Sequence, residues 1–406
     1  MRIQPTIGPL QLVSESQNIL TATCASGPAF GCIAWHTGPY LQNTETVYMC
    51  KVLGGVSDLE FVSEGADPDC SLTDNGALVS WIQKDSKTEL WTIHLSTFES
   101  DLRSLSTILL LGDIANLTTR PYITQFQGEP CLIYLNMNRG QQTEIHTYFI
   151  RSHRSFTEKL AIESPNDMIV KCSEDLVMAA IDSSNDFTLL RLDGENWKQI
   201  SKIPKNSMGT GRFDFAVRKD ISMFVIEKES QSEQGVDSLV VDLSNGTFEP
   251  KSTICDYGRF PSVTAAPDCR WLISWVGSPA HHLDTQERNQ SLDDSRSYID
   301  VLNEIRAESE AKGTNSKTSF EERSEMERIW DVNYVPPWAP LWLGVISDTG
   351  QCDDTYGPLG GGVDENFDTH LSFHSNRGIL MWLSRDRHAK EGEAGCSLKA
   401  REIVFS

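Results

Sequence analysis

Arginine and aspartate recur at matching places along this chain, and with His370 they form a charge-stabilising and proton-moving set. The triplet Gly211-Arg212-Phe213 returns as Gly258-Arg259-Phe260, and Asp67, Arg120 and Asp368 fall at the same phase of a longer repeat. Arg120, Arg212 and Arg259 can meet an anionic or carbonyl oxygen as negative charge develops on it. Asp67, Asp368 and His370 can move a proton, since carboxylates and imidazoles are the usual general acids and bases. Such a set suits lyase, isomerase, cyclase or cycloaddition chemistry, where a substrate is oriented rather than attacked by a nucleophile. Candidate substrate-binding residues accompany it: Trp35, His36, Tyr122, Asn166, Phe213, Phe260, His281, His282 and Trp338.

Missing motifs narrow the field. The chain has no Gly-x-Ser-x-Gly elbow, His-Glu-x-x-His, Walker A or dinucleotide fingerprint. The Asp-box pattern of sialidases is not matched, since Ser71-Leu-Thr-Asp74-Asn-Gly76 has a different spacing. No Cys-x-x-Cys pair occurs, and His281, His282 and His370 lack a ligand spacing, so no metal and no cofactor are expected.

Composition sets outer limits. Across 406 residues, 35 Lys and Arg against 57 Asp and Glu leave a net charge of −22, which speaks against nucleic acid as a partner. No apolar run approaches the ~18 residues of a membrane span. The first twenty residues carry an early proline and no apolar core, which reads as a cytoplasmic chain with reduced cysteines. Ten cysteines and the sequons at Asn116, Asn245 and Asn289 keep a mature secretory-pathway chain open as the alternative.

These residues are positioned by a repeat. Short polar turns lead into apolar runs ending at Trp35, Trp81, Tyr134, Ala180, Ile226, Trp275 and Trp382. The spacing is about 46–53 residues, with one interval of 107. A further strand follows most runs, as in 89–95, 187–192, 237–243 and 341–346. Four short strands per unit, and seven units, predict an all-β fold, a seven-bladed β-propeller occupying 1–406 as a single domain. Its final strand, 399–405, is expected to join the N-terminal strand and close the ring.

The turn-and-run pattern resembles the repeats of TolB-like and WD40-like propellers, where a Pro-Asp-Gly turn opens a strand. Pro267-Asp268-Cys269-Arg270-Trp271-Leu272 is the nearest copy, with Cys where Gly is usual, and Asp74-Asn75-Gly76 is another. The resemblance implies architecture, and architecture does not fix function.

The long interval places an insertion at 280–337, between the second and third strands of blade six. Its pattern predicts a helix over 291–312 and a second from the capping box at Ser319 to Trp330. Pro336, Pro337 and Pro340 then return the chain to the sheet. The expected position is one mouth of the central channel, as a lid with Trp330 and Trp338 facing a ligand. Fourteen positions before the run ends stand Thr21, Asp67, Arg120, Asn166, Arg212 and Asp368, with Arg259 comparable in blade six. This ring is the expected site for a small organic ligand in the channel. A lidded aromatic mouth is similar to that of fungal natural-product propellers that steer cycloadditions, which implies biosynthetic chemistry. A protein-interaction scaffold and a carbohydrate-binding propeller remain the alternatives.

Overall fold

The computed structural model describes residues 4–16, 18–38, 45–52, 55–56, 60–101, 103–137, 142–173, 176–205, 211–229, 234–249, 252–255, 258–267, 270–277, 340–360, 365–385 and 395–405. The described residues form seven antiparallel sheets, six of four strands and one of five. Each apolar run is the second strand of a sheet, from Gly31–Thr37 in the first to Arg377–Arg385 in the last. These strands lack alternation because both faces are covered by neighbouring blades. Trp271–Gly277, for example, is buried at every position. Clusters such as Ala216, Val240, Trp271 and Trp275 join the facing surfaces of blades five and six.

The first strand of each sheet lines the axis. These inner strands are Ile19–Ser26, Ala66–Thr73, Tyr122–Phe126, Asp167–Ser173, Phe213–Arg218, Gly258–Ala265 and Glu365–His374. Each touches the next, and the seventh returns to the first, so the sheets form a seven-bladed β-propeller. The strands expected after the apolar runs are the third strands, Trp91–Glu99, Asp186–Asp193 and Gln234–Asp242 among them. Glu89 itself lies outside its strand, in a turn with φ of 60°.

Closure follows the expected route. Cys396–Phe405 pairs with Pro5–Ile7 and Gln11–Ser16, so the chain start supplies the outermost strand of blade seven. Arg401, 1% exposed, fastens this seam: its Nη1 donates to Gly8 O at 2.6 Å and its Nε to Leu359 O at 3.0 Å. Burial lowers its pKa to about 10. Arg401→Ala strips donors from buried carbonyls, so a loss of about 1–3 kcal/mol in unfolding free energy is expected in denaturant titrations. An unchanged midpoint would show that water replaces the guanidinium.

All inner strands begin at one end of the channel, here the upper mouth. Second strands run antiparallel and finish there, and Gly277 registers with Gly258. The insertion therefore departs from the upper mouth and re-enters at Pro340 beside Gly277, whose N–H donates to Pro340 O at 2.9 Å. The two expected helices, with His281, His282, Trp330 and Trp338, lie outside the described residues.

Candidate functional site

Inter-blade hydrogen bonds from the inner strands set the frame of the channel. Asp69 Oδ1 accepts from Thr23 Oγ1 of blade one at 3.1 Å, and its Oδ2 accepts from Ile123 N of blade three at 2.8 Å. Asp214 does the same between blades four and six. Its Oδ2 accepts from Ser262 Oγ at 2.7 Å and Val263 N at 2.9 Å, and its Oδ1 lies 2.9 Å from Lys171 Nζ. Ser262 Oγ takes Leu371 N of blade seven at 3.0 Å, and Ser26 N reaches Ser372 Oγ at 2.8 Å to link blades one and seven. Low local dielectric makes such satisfied networks stiff.

Burial, opposed by Arg120 and by the Ile123 and Thr23 donors, raises the Asp69 carboxyl above its ordinary value. A carboxyl whose pKa is raised by folding costs stability when ionised, and that cost fades as pH falls through the raised pKa towards about 3.9. Wild type should therefore gain stability relative to Asp69→Asn as pH is lowered from neutrality. Parallel pH profiles of thermal midpoint for the two proteins would contradict this.

Three mouth residues adopt left-handed backbone: Asp67 at φ 47°, Phe260 at 53° and Asp368 at 51°. Each sits in a register shift of its inner strand, at Ala66/Asp69, Arg259/Ser262 and Phe367/His370. A bulge re-aims side chains that strand alternation would otherwise place, and left-handed non-glycine residues persist only when their surroundings over-determine them. Two of the three are held by a buried side chain from the end of the preceding blade's second strand. His36 Nδ1 accepts Asp67 N at 3.1 Å, and Glu227 Oε2 accepts Phe260 N at 3.1 Å. Burial, working against the Asp67 and Glu45 charges, lowers the His36 pKa and so favours the neutral ring that this acceptor role requires.

The side chains then converge. Arg212 reaches from blade five across to blade seven, its Nη1 3.0 Å from Asp368 Oδ1 and its guanidinium 4.8 Å from the Phe260 ring centroid. His370 Nε2 lies 3.5 Å from the same Asp368 oxygen and is sealed from solvent, while the ring lines the channel. At that separation Nε2 faces the carboxylate without a hydrogen bond to it, so the pair is coupled by charge. Arg120 stacks on Tyr122 at 4.8 Å. Burial opposes its charge, but Tyr122, Asp69 and Asp167 outweigh this and hold its pKa above the ordinary value. Burial opposes ionisation of Asp368 as well, and His370, Arg212 and Arg120 more than offset it, leaving the carboxyl below the usual range.

The channel encloses about 1780 Å³ and is lined by Thr21, Asp67, Arg120, Tyr122, Arg212, Phe213, Phe260, Asp368 and His370. The other expected site residues stand elsewhere. Trp35 is fully buried between blades, stacked on Tyr48, so it offers a ligand no surface. His36 is likewise sealed and acts through Asp67. Asn166 is exposed outside the channel wall and bonds Asp182, and Asp167 takes the channel position beside it. Arg259 turns to Glu227, 3.2 Å from Oε1, because the bulge hands its channel place to Phe260. Asp69, Asp167, Asp214 and Glu227 escaped the sequence reading. Asp69 and Asp214 carried a usable signal, since each lies two residues beyond a ring position and strand faces repeat every two. Among the described residues no group of three His, Cys, Asp or Glu is arranged to hold a metal ion.

No family model matches the chain, and no curated protein matches it. Solved structures do share the fold. The phage phi92 endosialidase aligns with a TM-score of 0.52 at 7% identity, over 98% of this chain and 69% of that one. The polysaccharide lyase Uly1 aligns at 0.50 and 9% identity, over 97% and 90%. At these identities the likeness is one of fold.

Proposed function

We propose that the upper mouth is the active site of a non-hydrolytic enzyme, of lyase, isomerase or cyclase type, acting on a small organic molecule with a carbonyl or carboxylate oxygen. The observation that carries the reading is the cluster of Arg212, Asp368 and His370, drawn from two blades onto one point of the channel wall. In this reading Asp368 orients the imidazole and stabilises its protonated form, leaving His370 Nδ1 to take a proton from carbon beside the oxygen. Arg212, 60% exposed, faces the oxygen as charge builds on it, and half-buried Arg120 supplies a fixed positive potential behind.

A second reading draws on the acceptor-rich lining. Asp67, Asp69, Asp167, Asp182, Asp214 and Asp368 all border the channel, and carboxylates take hydrogen bonds from hydroxyl groups. That lining favours a saccharide held without turnover.

One experiment separates them. The protein is incubated in deuterated water with a panel of ketones, keto acids, uronic acids and neutral oligosaccharides, and followed by proton NMR. Enzyme-dependent loss of a C–H signal beside a carbonyl, abolished in His370→Gln, is the expected result. Saccharide line-broadening with every C–H retained would replace the first reading by the second. Arg212→Ala is expected to weaken the active panel member's kcat/KM about 10–100-fold, since one exposed charge-stabilising contact is lost.

A further inference from the structure

The two described sequon asparagines, Asn116 and Asn245, lie outside the channel lining, and the fold treats their sequons differently. Asn245-Gly246-Thr247 forms the tight turn between the third and fourth strands of blade five. Asn245 and Thr247 are exposed. The Asn245 carboxamide oxygen accepts Thr247 Oγ1 at 2.6 Å and Thr247 N at 2.8 Å, and its Nδ2 donates to Asp242 Oδ2 at 2.8 Å. Two donors on the amide oxygen polarise the group, and the sequon hydroxyl is already beside the acceptor side chain. The turn is rigid: Gly246 has φ of 74°, a Cβ there would meet Ile200 O at 2.1 Å, and Gly246 O accepts Ser201 Oγ of blade four at 2.8 Å.

Asn116-Leu117-Thr118 is built otherwise. It is zipped onto the end of blade three's second strand, with Leu117 bridged to Asn136 and Met137 N donating to Asn116 O at 3.0 Å. Asn116 Nδ2 donates to Met137 O at 2.9 Å much as Asn245 Nδ2 donates to Asp242, but the Thr118 hydroxyl is sealed from solvent, whereas Thr247 is exposed. Hydroxyl and amide therefore cannot act together there.

We propose that Asn245 is an N-glycan acceptor site, and that it keeps the glycan clear of the channel mouth. Its position supports the second half: Asp242 registers with Ile221, which registers with Arg218 at the lower end of the inner strand, opposite Arg212. The donor is a lipid-linked oligosaccharide diphosphate. A bond forms from Asn245 Nδ2 to the anomeric carbon, the bond from that carbon to the diphosphate oxygen breaks, and Nδ2 releases one proton. Passage through an oxidising compartment exposes few thiols: of the nine described cysteines, all free, only Cys172 is exposed.

The test is the full chain behind a cleavable signal peptide, translated with endoplasmic-reticulum microsomes and also secreted from a eukaryotic culture. Tryptic peptides are analysed by mass spectrometry before and after enzymatic deglycosylation in heavy-oxygen water. The expected result is a glycan on the Asn245 peptide in most molecules and an unmodified Asn116 peptide, with the Asn245 glycan lost in Asn245→Gln and in Thr247→Ala. Should secretion fail, the microsomal arm reads the same peptides. A bare Asn245 in translocated protein, or modification of Asn116 instead, overturns the proposal.

Discussion

Asp368→Asn is expected to lower turnover by about 10²–10⁴-fold while leaving the propeller folded. Asparagine tolerates the left-handed backbone that position 368 requires, so the bulge survives the change. What is lost is the charged acceptor that faces His370 Nε2 at 3.5 Å and Arg212 Nη1 at 3.0 Å. Without it the protonated form of the imidazole loses its counter-charge. His370→Gln should cost a similar factor, and the double variant little more, because residues that act as a unit are not additive. The deuterium-exchange rate of the active panel member reads all three. Equal rates in wild type and both single variants would remove the proton-transfer role from this pair. The pH sign is also set. Asp368 has its carboxyl pKa depressed, so its ionic contribution is complete above the unfolded value of about 3.9 and fades only as pH falls through the lowered one. Activity changes above pH 5 should therefore not arise from this carboxyl.

Asp214→Ala should be the most destabilising single change in the channel wall, by about 3–5 kcal/mol. Its carboxylate collects Ser262 Oγ, Val263 N and Phe215 N and stands beside Lys171 Nζ, so one truncation leaves several groups of three blades without partners. The loss includes both missing hydrogen bonds and a cation left without its counter-charge. Asp214→Asn retains one acceptor oxygen and should lie between wild type and alanine. Chemical denaturation would read the series, and an alanine variant within about 1 kcal/mol of wild type would show that water bridges the gap between blades.

Much of the architecture was legible because it is written in local pattern. A buried second strand needs an apolar run, each run needs a turn before it, and repetition of that unit commits the chain to a ring. The run ends read from the sequence fall within the second strands of all seven sheets. The long interval marked the insertion in blade six, and antiparallel strand direction places its two ends at the mouth.

The site was legible as a region and less so as residues. Thr21, Asp67, Arg120, Arg212 and Asp368 line the channel as the shared phase implies, whereas Asn166 and Arg259 do not. The reason is a one-residue matter: strand faces alternate, so a shift of one position turns a side chain away. Phe260 shows this most plainly, since its left-handed backbone takes the channel place that simple alignment assigns to Arg259. Trp35 and His36 stand at the mouth end of a second strand, as the repeat implies, but burial assigns them to packing and to holding Asp67.

Sequence alone determined the blade count, the order of strands and the pairing of the chain ends, because these follow from hydrophobic periodicity and turn residues that act over a few positions. Tertiary structure decided which charged groups meet. Arg212 and Asp368 are 156 positions apart, and only ring closure and the bulge at Asp368 bring their side chains to 3.0 Å. No local pattern encodes that distance, since it is set by how whole blades pack against one another.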